Sequence, residues 1–108
     1  DEALRQLVLR LRDTLRAPDA LGRLGGEEFL VLLDDSGRDS AGAAAERLRA
    51  AVADAPLALE PGPHPTTISV GVAVLEDADR NFSDLLRRAD RALYAAKAAG
   101  RNRVEIAA

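Results

Sequence analysis

Five consecutive residues, Gly25-Gly26-Glu27-Glu28-Phe29, set a backbone free of side chains directly beside two carboxylates. That combination suits a ligand that brings both phosphate and a metal ion. Mg²⁺ takes hard oxygen ligands, usually one or two carboxylates plus the phosphate oxygens of its substrate, and glycine lets such a substrate approach the main chain. Taken alone, the same residues also read as a tight turn whose acids are solvated, so their meaning depends on what else the chain carries. Other chemistries lack residues to carry them. The chain has no cysteine, and His64, its single histidine, sits between two prolines with no second metal-type ligand nearby in sequence, which reads as a solvated loop residue. There is no Ser-His-Asp order and no glycine loop ending in Gly-Lys-Ser or Gly-Lys-Thr, so hydrolase and P-loop readings have no support.

The elements that must position this turn are read from hydrophobic periodicity. Leu4, Leu7, Val8, Leu11 and Leu15 fall on one helical face, and Pro18 stops that helix. Leu21 to Leu24 and the apolar run from Phe29 to Leu33 read as a β-hairpin with its tip at the glycines. After the loop at Asp34-Asp35-Ser36-Gly37, Ser40 is the expected cap of an alanine-rich helix that buries Ala44, Leu48 and Val52. Residues 60–65, with three prolines and a glycine, read as a connection only. Ile68, Val70, Val72 and Val74 alternate with smaller residues as a strand does, with the branched side toward the core. Ser83 is the expected start of the next helix, with Leu85, Leu86, Ala89, Leu93 and Ala96 as its buried stripe, Tyr94 packed on it and Gly100 at its end. Arg103 to Ile106 reads as a short last strand. The order helix, hairpin, helix, strand, helix, strand calls for an α/β (α+β) sheet covered by helices on at least one face.

At 108 residues and 47% hydrophobic, the chain is long enough for one modest core and one domain. Fifteen basic and eighteen acidic residues give a formal charge of -3, which gives no support to a broad nucleic-acid-binding surface. No apolar stretch approaches the length of a membrane span, so no membrane contact is expected of this segment and a cytoplasmic location is. The first residues already read as helix and Asp1 is not preceded by methionine, so further chain is expected upstream.

Three stretches together resemble one family. Arg23-Leu24-Gly25-Gly26-Glu27-Glu28-Phe29 is similar to the signature of GGDEF domains, in which glutamate is a common variant at the third position. Thr67-Ile68-Ser69-Val70-Gly71-Val72-Ala73 resembles the family's next strand, and residues 89–102, from Ala89-Asp90-Arg91 through Lys97 to Gly100-Arg101-Asn102, resemble its closing helix and turn. The likeness runs from Asp1 to about Val104, in matching order and spacing. It implies a nucleotide-cyclase-like sheet flanked by helices, with a central β-hairpin carrying the Gly-Gly-Glu-Glu-Phe turn. The implied activity is that of a diguanylate cyclase, in which two domains face each other as a homodimer, each holding one GTP. The 3′-hydroxyl of each GTP attacks the α-phosphate of the other, giving cyclic di-GMP and pyrophosphate.

By this resemblance Glu27 and Glu28 bind Mg²⁺ (or Mn²⁺), with Glu27 also orienting or deprotonating the hydroxyl. Successive strand side chains point to opposite faces, so the two glutamates are not expected to do identical work. Gly25 and Gly26 admit the substrate, and Lys97 and Arg101 match the ligands of the GTP phosphates. A helix C-terminus also favours cations through its dipole, but Lys97 is the only lysine in a chain whose other basic residues are arginines, and a flexible point charge suits phosphate oxygens. Asp1 matches the aspartate that reads guanine through its N1 and N2 donors, and a carboxylate also suits a helix N-terminus. Arg16-Ala17-Pro18-Asp19 resembles the family's RxxD motif, where cyclic di-GMP binds as feedback inhibitor, and Arg47 matches a further contact to it. A strand between Asp19 and Glu27 can carry them roughly 20 Å apart, so this is expected to be a separate site.

Complete domains of the family begin with a strand carrying a metal-binding aspartate, then a helix and a loop supplying an asparagine to guanine. None of this is found in residues 1–108, which therefore resemble the larger, C-terminal part of a single GGDEF domain and are expected to be inactive alone. The alternative reading is a non-catalytic receptor or regulatory domain that binds cyclic di-GMP or GTP.

Overall fold

The computed structural model describes residues 1–16, 19–25, 28–33 and 37–107. The leucine stripe at the start of the chain forms α1 (Glu2–Thr14), capped by the Asp1 carboxylate, whose Oδ1 accepts the Leu4 N–H at 3.0 Å. The structure divides that stripe between two tasks. Leu7, Leu11 and Leu15 pack with Leu48, Val52, Leu21, Val31 and Ile68, whereas Leu4 and Val8 line an open cleft.

The hairpin forms as expected from β1 (Ala20–Gly25) and β2 (Glu28–Leu32), antiparallel, with Leu21 opposite Val31. The next helix, α2 (Arg38–Ala53), begins earlier than its sequence suggests. Its cap is Gly37 in extended conformation and not Ser40, which lies inside the first turn beside Asp39. The acid at Asp39 complements the helix dipole there without a side-chain cap. Ala41 and Ala45 are buried in addition to Ala44, Leu48 and Val52, because α2 is pressed from one side by α1 and from another by the valine strand and the last strand of the chain. At its far end the Arg10 guanidinium of α1 donates to the carbonyls of Ala51, Val52, Ala55 and Pro56, so one helix caps the other.

Residues 60–65 are more than a connection. Leu57 is 2% exposed and anchors β3 (Leu57–Ala58), which pairs antiparallel with β4 (Pro63–His64). The Gln6 amide completes the other edge, accepting the Ala58 N–H at 2.9 Å and donating to the Ala58 carbonyl at 2.6 Å. These contacts reach across 52 residues, which is why local sequence does not display them.

The alternating valines form β5 (Val70–Val72), paired in parallel with β6 (Val104–Ile106). A parallel pair needs a crossover, and α3 (Phe82–Ala98) supplies it. This helix starts at Phe82, not Ser83, because the Asn81 side chain accepts the Asp84 N–H at 3.0 Å while the Asp84 carboxylate accepts the Arg80 N–H at 2.8 Å. Val70, Val72 and Val74 face α2, and the opposite side of β5 is covered by α3. There a Cβ on Gly71 would stand 2.3 Å from both the Ala89 carbonyl oxygen and the Leu93 nitrogen. Ala92 and Ala96 are buried on α3, while Tyr94, expected to pack, is 76% exposed. Arg88 ties the preceding loop down, donating to the Val74 carbonyl, Asp79 and Glu76, each at 2.9 Å. Among the described residues the strands make three two-stranded ladders, and no helix is long and apolar enough to cross a membrane.

Candidate functional site

The leucine cluster grips the base of the hairpin. Leu21 and Val31 pack into that cluster. The ladder then shifts register between Arg23 and Gly25, leaving Leu24 as an extra residue on β1 immediately behind the turn. Such a bulge bends the strand and redirects the turn beyond it, a device common beside functional sites. Gly25 pairs with Glu28, so only Gly26 and Glu27 connect the strands. Gly26 and Glu27 lie outside the described residues, and Glu28 is described by its place in β2.

Between α1 and the hairpin runs a cleft of about 640 Å³ lined by Asp1, Leu4, Val8, Leu9, Gly22 and Phe29, with Glu2, Arg5 and Arg12 among its charged groups. Its volume falls in the range of small-ligand sites, and its apolar wall with a few charged groups is their usual chemistry. A Cβ at Gly22 would meet nothing within 4 Å, so the strand side of the cleft is open. The Asp1 carboxylate uses Oδ1 as helix cap and makes no second side-chain hydrogen bond among the described residues, which leaves Oδ2 able to accept from a ligand. Hydrogen bonds from Arg5 and then Gln6 hold the Glu2 carboxyl at a pKa of about 2, so Arg5 is already partnered. Arg12 has no ion pair among the described residues and remains a cation at the cleft wall.

Lys97 and Arg101 stand elsewhere. Helix α3 ends in a Schellman turn, with the Gly100 N–H on the Lys97 carbonyl at 3.3 Å and the Arg101 N–H on the Ala96 carbonyl at 3.0 Å. Gly100 has φ +124°, the left-handed region that glycine enters at least cost. Lys97 lies in the last helical turn and Arg101 just beyond, and both are exposed. Neither lines the cleft with Asp1. The turn they share is braced from α2, where Arg49 donates to the Asn102 carboxamide oxygen at 2.8 Å. Sequence reasoning passed over Arg49, since nothing distinguishes it from the other helix-surface arginines.

Arg16 and Asp19 are folded onto each other through the main chain. The Asp19 N–H donates to the Arg16 carbonyl at 2.6 Å, and the Asp19 carboxylate accepts the Arg16 N–H at 3.4 Å. The Arg16 side chain is exposed, the two intervening residues lie outside the described ones, and Arg47 is exposed on α2. None of Arg16, Asp19 and Arg47 lines the cleft.

For a divalent cation, the donors at the turn are two adjacent carboxylates and nothing softer, which fits Mg²⁺ or Mn²⁺ completed by substrate oxygens. Among the described residues no three histidine, cysteine or acidic groups gather into a further metal cluster.

The family described as "Diguanylate cyclase, GGDEF domain" matches residues 1–103. YhcK, an uncharacterized protein of Bacillus subtilis, is 45% identical over 105 residues, covering 96% of this chain and 29% of that protein. The diguanylate cyclase DgcP of Pseudomonas aeruginosa is 40% identical over 107 residues, covering 99% of this chain but 16% of that protein. The chain thus spans less than a third of either relative. Among solved structures, the active GGEEF domain of a diguanylate cyclase from Vibrio cholerae superposes with a TM-score of 0.89 at 35% identity, covering all of this chain and 68% of that one. With the family matched over residues 1–103 and the whole fold superposing on a solved GGEEF domain, the chain belongs to the GGDEF family of diguanylate cyclase domains.

Proposed function

We propose that these residues form the larger part of a domain that condenses two GTP into cyclic di-GMP with release of pyrophosphate. The observation that carries the reading is the cleft between α1 and the hairpin, which has Asp1 on one wall and Gly22 and Phe29 of the two hairpin strands on the other. Asp1 Oδ2 accepts from the guanine edge, a donor pair that adenine lacks. Lys97 and Arg101 draw the phosphates by charge, and Gly25 and Gly26 leave the main chain approachable. Glu27 orients the 3′-hydroxyl and takes its proton as the new O–P bond forms and pyrophosphate departs. Glu27 and Glu28 would hold the divalent cation, which would supply neutralisation of charge at the reacting phosphate. Two such domains face each other, because each holds one GTP whose 3′-hydroxyl attacks the other's α-phosphate.

The hairpin ladder and the β5–β6 ladder are not hydrogen-bonded to each other among the described residues. A strand bearing a further metal-binding aspartate between them would join the sheet and complete the ligand set, and without it the 108 residues are expected to be inactive. The test compares the parent protein, its Glu27→Gln variant and the isolated segment for cyclic di-GMP formation from GTP and Mg²⁺. Loss of at least about 100-fold in the variant is expected for removal of a general base, and no turnover by the segment is expected without that strand. Unchanged synthesis by Glu27→Gln refutes the catalytic assignment.

A second reading, a cyclic di-GMP receptor, draws on the closed Arg16–Asp19 turn with its exposed arginine. In the first reading the same turn serves feedback inhibition with Arg47. A parent protein that binds cyclic di-GMP but makes none favours the receptor.

A further inference from the structure

Gly100, Arg101 and Asn102 have φ values of +124°, +65° and +46° in succession. Asparagine enters this left-handed backbone readily, but for the arginine it is sterically costly and persists only where the surroundings over-determine it. Three sets of bonds do so here. The helix supplies the Schellman pair at Gly100 and Arg101. The strand supplies a second set, since Arg103 Nε donates to the Arg101 carbonyl at 3.3 Å and the Arg103 carbonyl accepts the Val70 N–H at 2.9 Å. The third comes from α2, 53 residues away, where Arg49 Nη1 donates to Asn102 Oδ1.

The Arg49 guanidinium is itself held in place. Its Nε and Nη2 hold the Glu46 carboxylate at 2.6 to 2.9 Å, which fixes the plane of the group and aims its remaining edge at Asn102. The side chain is 21% exposed. Because each of the three guanidinium nitrogens already has a partner, Arg49 is poorly placed to take a phosphate itself. A lysine there could not hold Glu46 through a planar fork and Asn102 at once.

We infer that Arg49 is a positioning residue for phosphate recognition, acting through Asn102 to hold the turn that presents Arg101. This rests on the proposed assignment of Arg101 to the GTP phosphates. The left-handed turn places Arg101 directly between a helix end that is bonded and an asparagine that is clamped. Without the clamp, Asn102 loses its only side-chain hydrogen bond among the described residues. The turn can then relax toward ordinary backbone, and Arg101 is displaced while the cleft lined by Asp1 is untouched.

The experiment titrates the parent protein with 3′-deoxy-GTP, which lacks the attacking hydroxyl, and with guanosine, which lacks the phosphates. Arg49→Ala is expected to weaken 3′-deoxy-GTP by about ten-fold and leave guanosine unchanged, with no further loss when combined with Arg101→Ala, since residues acting as one unit are not additive. Asn102→Gly keeps the positive φ but deletes the acceptor, and is expected to reproduce the Arg49→Ala loss even if Arg49→Ala fails to fold. An equal loss for guanosine, or full additivity with Arg101→Ala, overturns the inference and leaves the phosphate assignment standing. If Arg101→Ala alone leaves 3′-deoxy-GTP binding unchanged, the phosphate assignment falls and the role of Arg49 falls with it.

Discussion

Around α1 and the hairpin the interior is built from long or branched side chains, with Leu11, Leu48 and Val52 at its centre and Leu7, Leu15, Leu21, Val31 and Ile68 around them. Around β5, β6 and α3 the fully buried positions are mostly small, Ala41, Ala45, Ala92 and Ala96 with Val72 between and Gly71 under α3, and Leu33, Val70, Val74, Val104 and Ile106 pack around the first of them. Long side chains hold elements apart and can change rotamer, which leaves room beside the hairpin for an open cleft. Small ones bring backbone onto backbone, where no rotamer can move aside. The contrast matches the two halves of the proposed site. On the proposed reading a base is received in a cleft walled by side chains, while the phosphates are met by a turn at the end of a helix seated directly on its strand.

That contrast can be broken from either side. Leu48, 4% exposed at the centre of the leucine cluster, should lose about 3–4 kcal/mol on replacement by alanine, from lost burial and the cavity left behind. Denaturant unfolding of the intact domain measures it, and a loss below about 1 kcal/mol would mean that the cluster collapses around the gap as an adaptable surface does. Gly71→Ala should cost somewhat less, about 2–3 kcal/mol, but for the opposite reason, because its new methyl meets backbone at 2.3 Å and α3 must lift off β5. A displaced helix also moves Lys97 and Arg101, so this variant should weaken GTP binding beyond its effect on stability. If Gly71→Ala melts like the parent, the close seating of α3 is dispensable and the comparison fails.

Much of this was legible in the chain. The leucine helix, the two hairpin strands and the Gly100 terminator obey local rules and formed where expected, whereas of the alternating run only Val70–Val72 is a strand and Ile68 packs with the leucine cluster instead. The resemblance carried the family because its residues lie on these same elements. What stayed hidden depends on contacts between distant residues. Leu4 and Val8 share a helical period with Leu7 and Leu11, and only the position of the hairpin decides that the first pair faces a cleft. Gln6 completes a strand, Arg10 caps another helix and Arg49 braces another turn, all across at least 41 residues. Ser40 and Ser83 were reasonable caps by type, but Gly37 and Asn81 precede them with the extended backbone that a cap requires. The glutamate turn was read from residue types alone, and Gly26 and Glu27 remain outside the described residues.

The smallest expected effect separates charge from packing at the edge of the cleft. Glu2 is exposed, and hydrogen bonds from Arg5 and then Gln6 lower its pKa from 4.5 to about 2. A carboxyl whose folded pKa is depressed stabilises the fold fully above its unfolded value and loses that contribution as pH falls through the folded one. The hold on the start of α1 should therefore be intact above pH 4.5 and fade between there and about pH 2. Tracking the Glu2 carboxyl carbon by NMR in the intact domain should give a midpoint near the lower value in dilute buffer. High salt should move it toward the ordinary value, because exposed pairs are screened. Gln6 bridges Glu2 and Ala58, so the Ala58 amide should lose exchange protection over the same interval while the amides of β5 do not. A midpoint near 4.5 in dilute buffer would show that Arg5 and Gln6 do not hold Glu2 in solution. The start of α1 would then rest on the Asp1 cap and the leucine packing, as the rest of that half does.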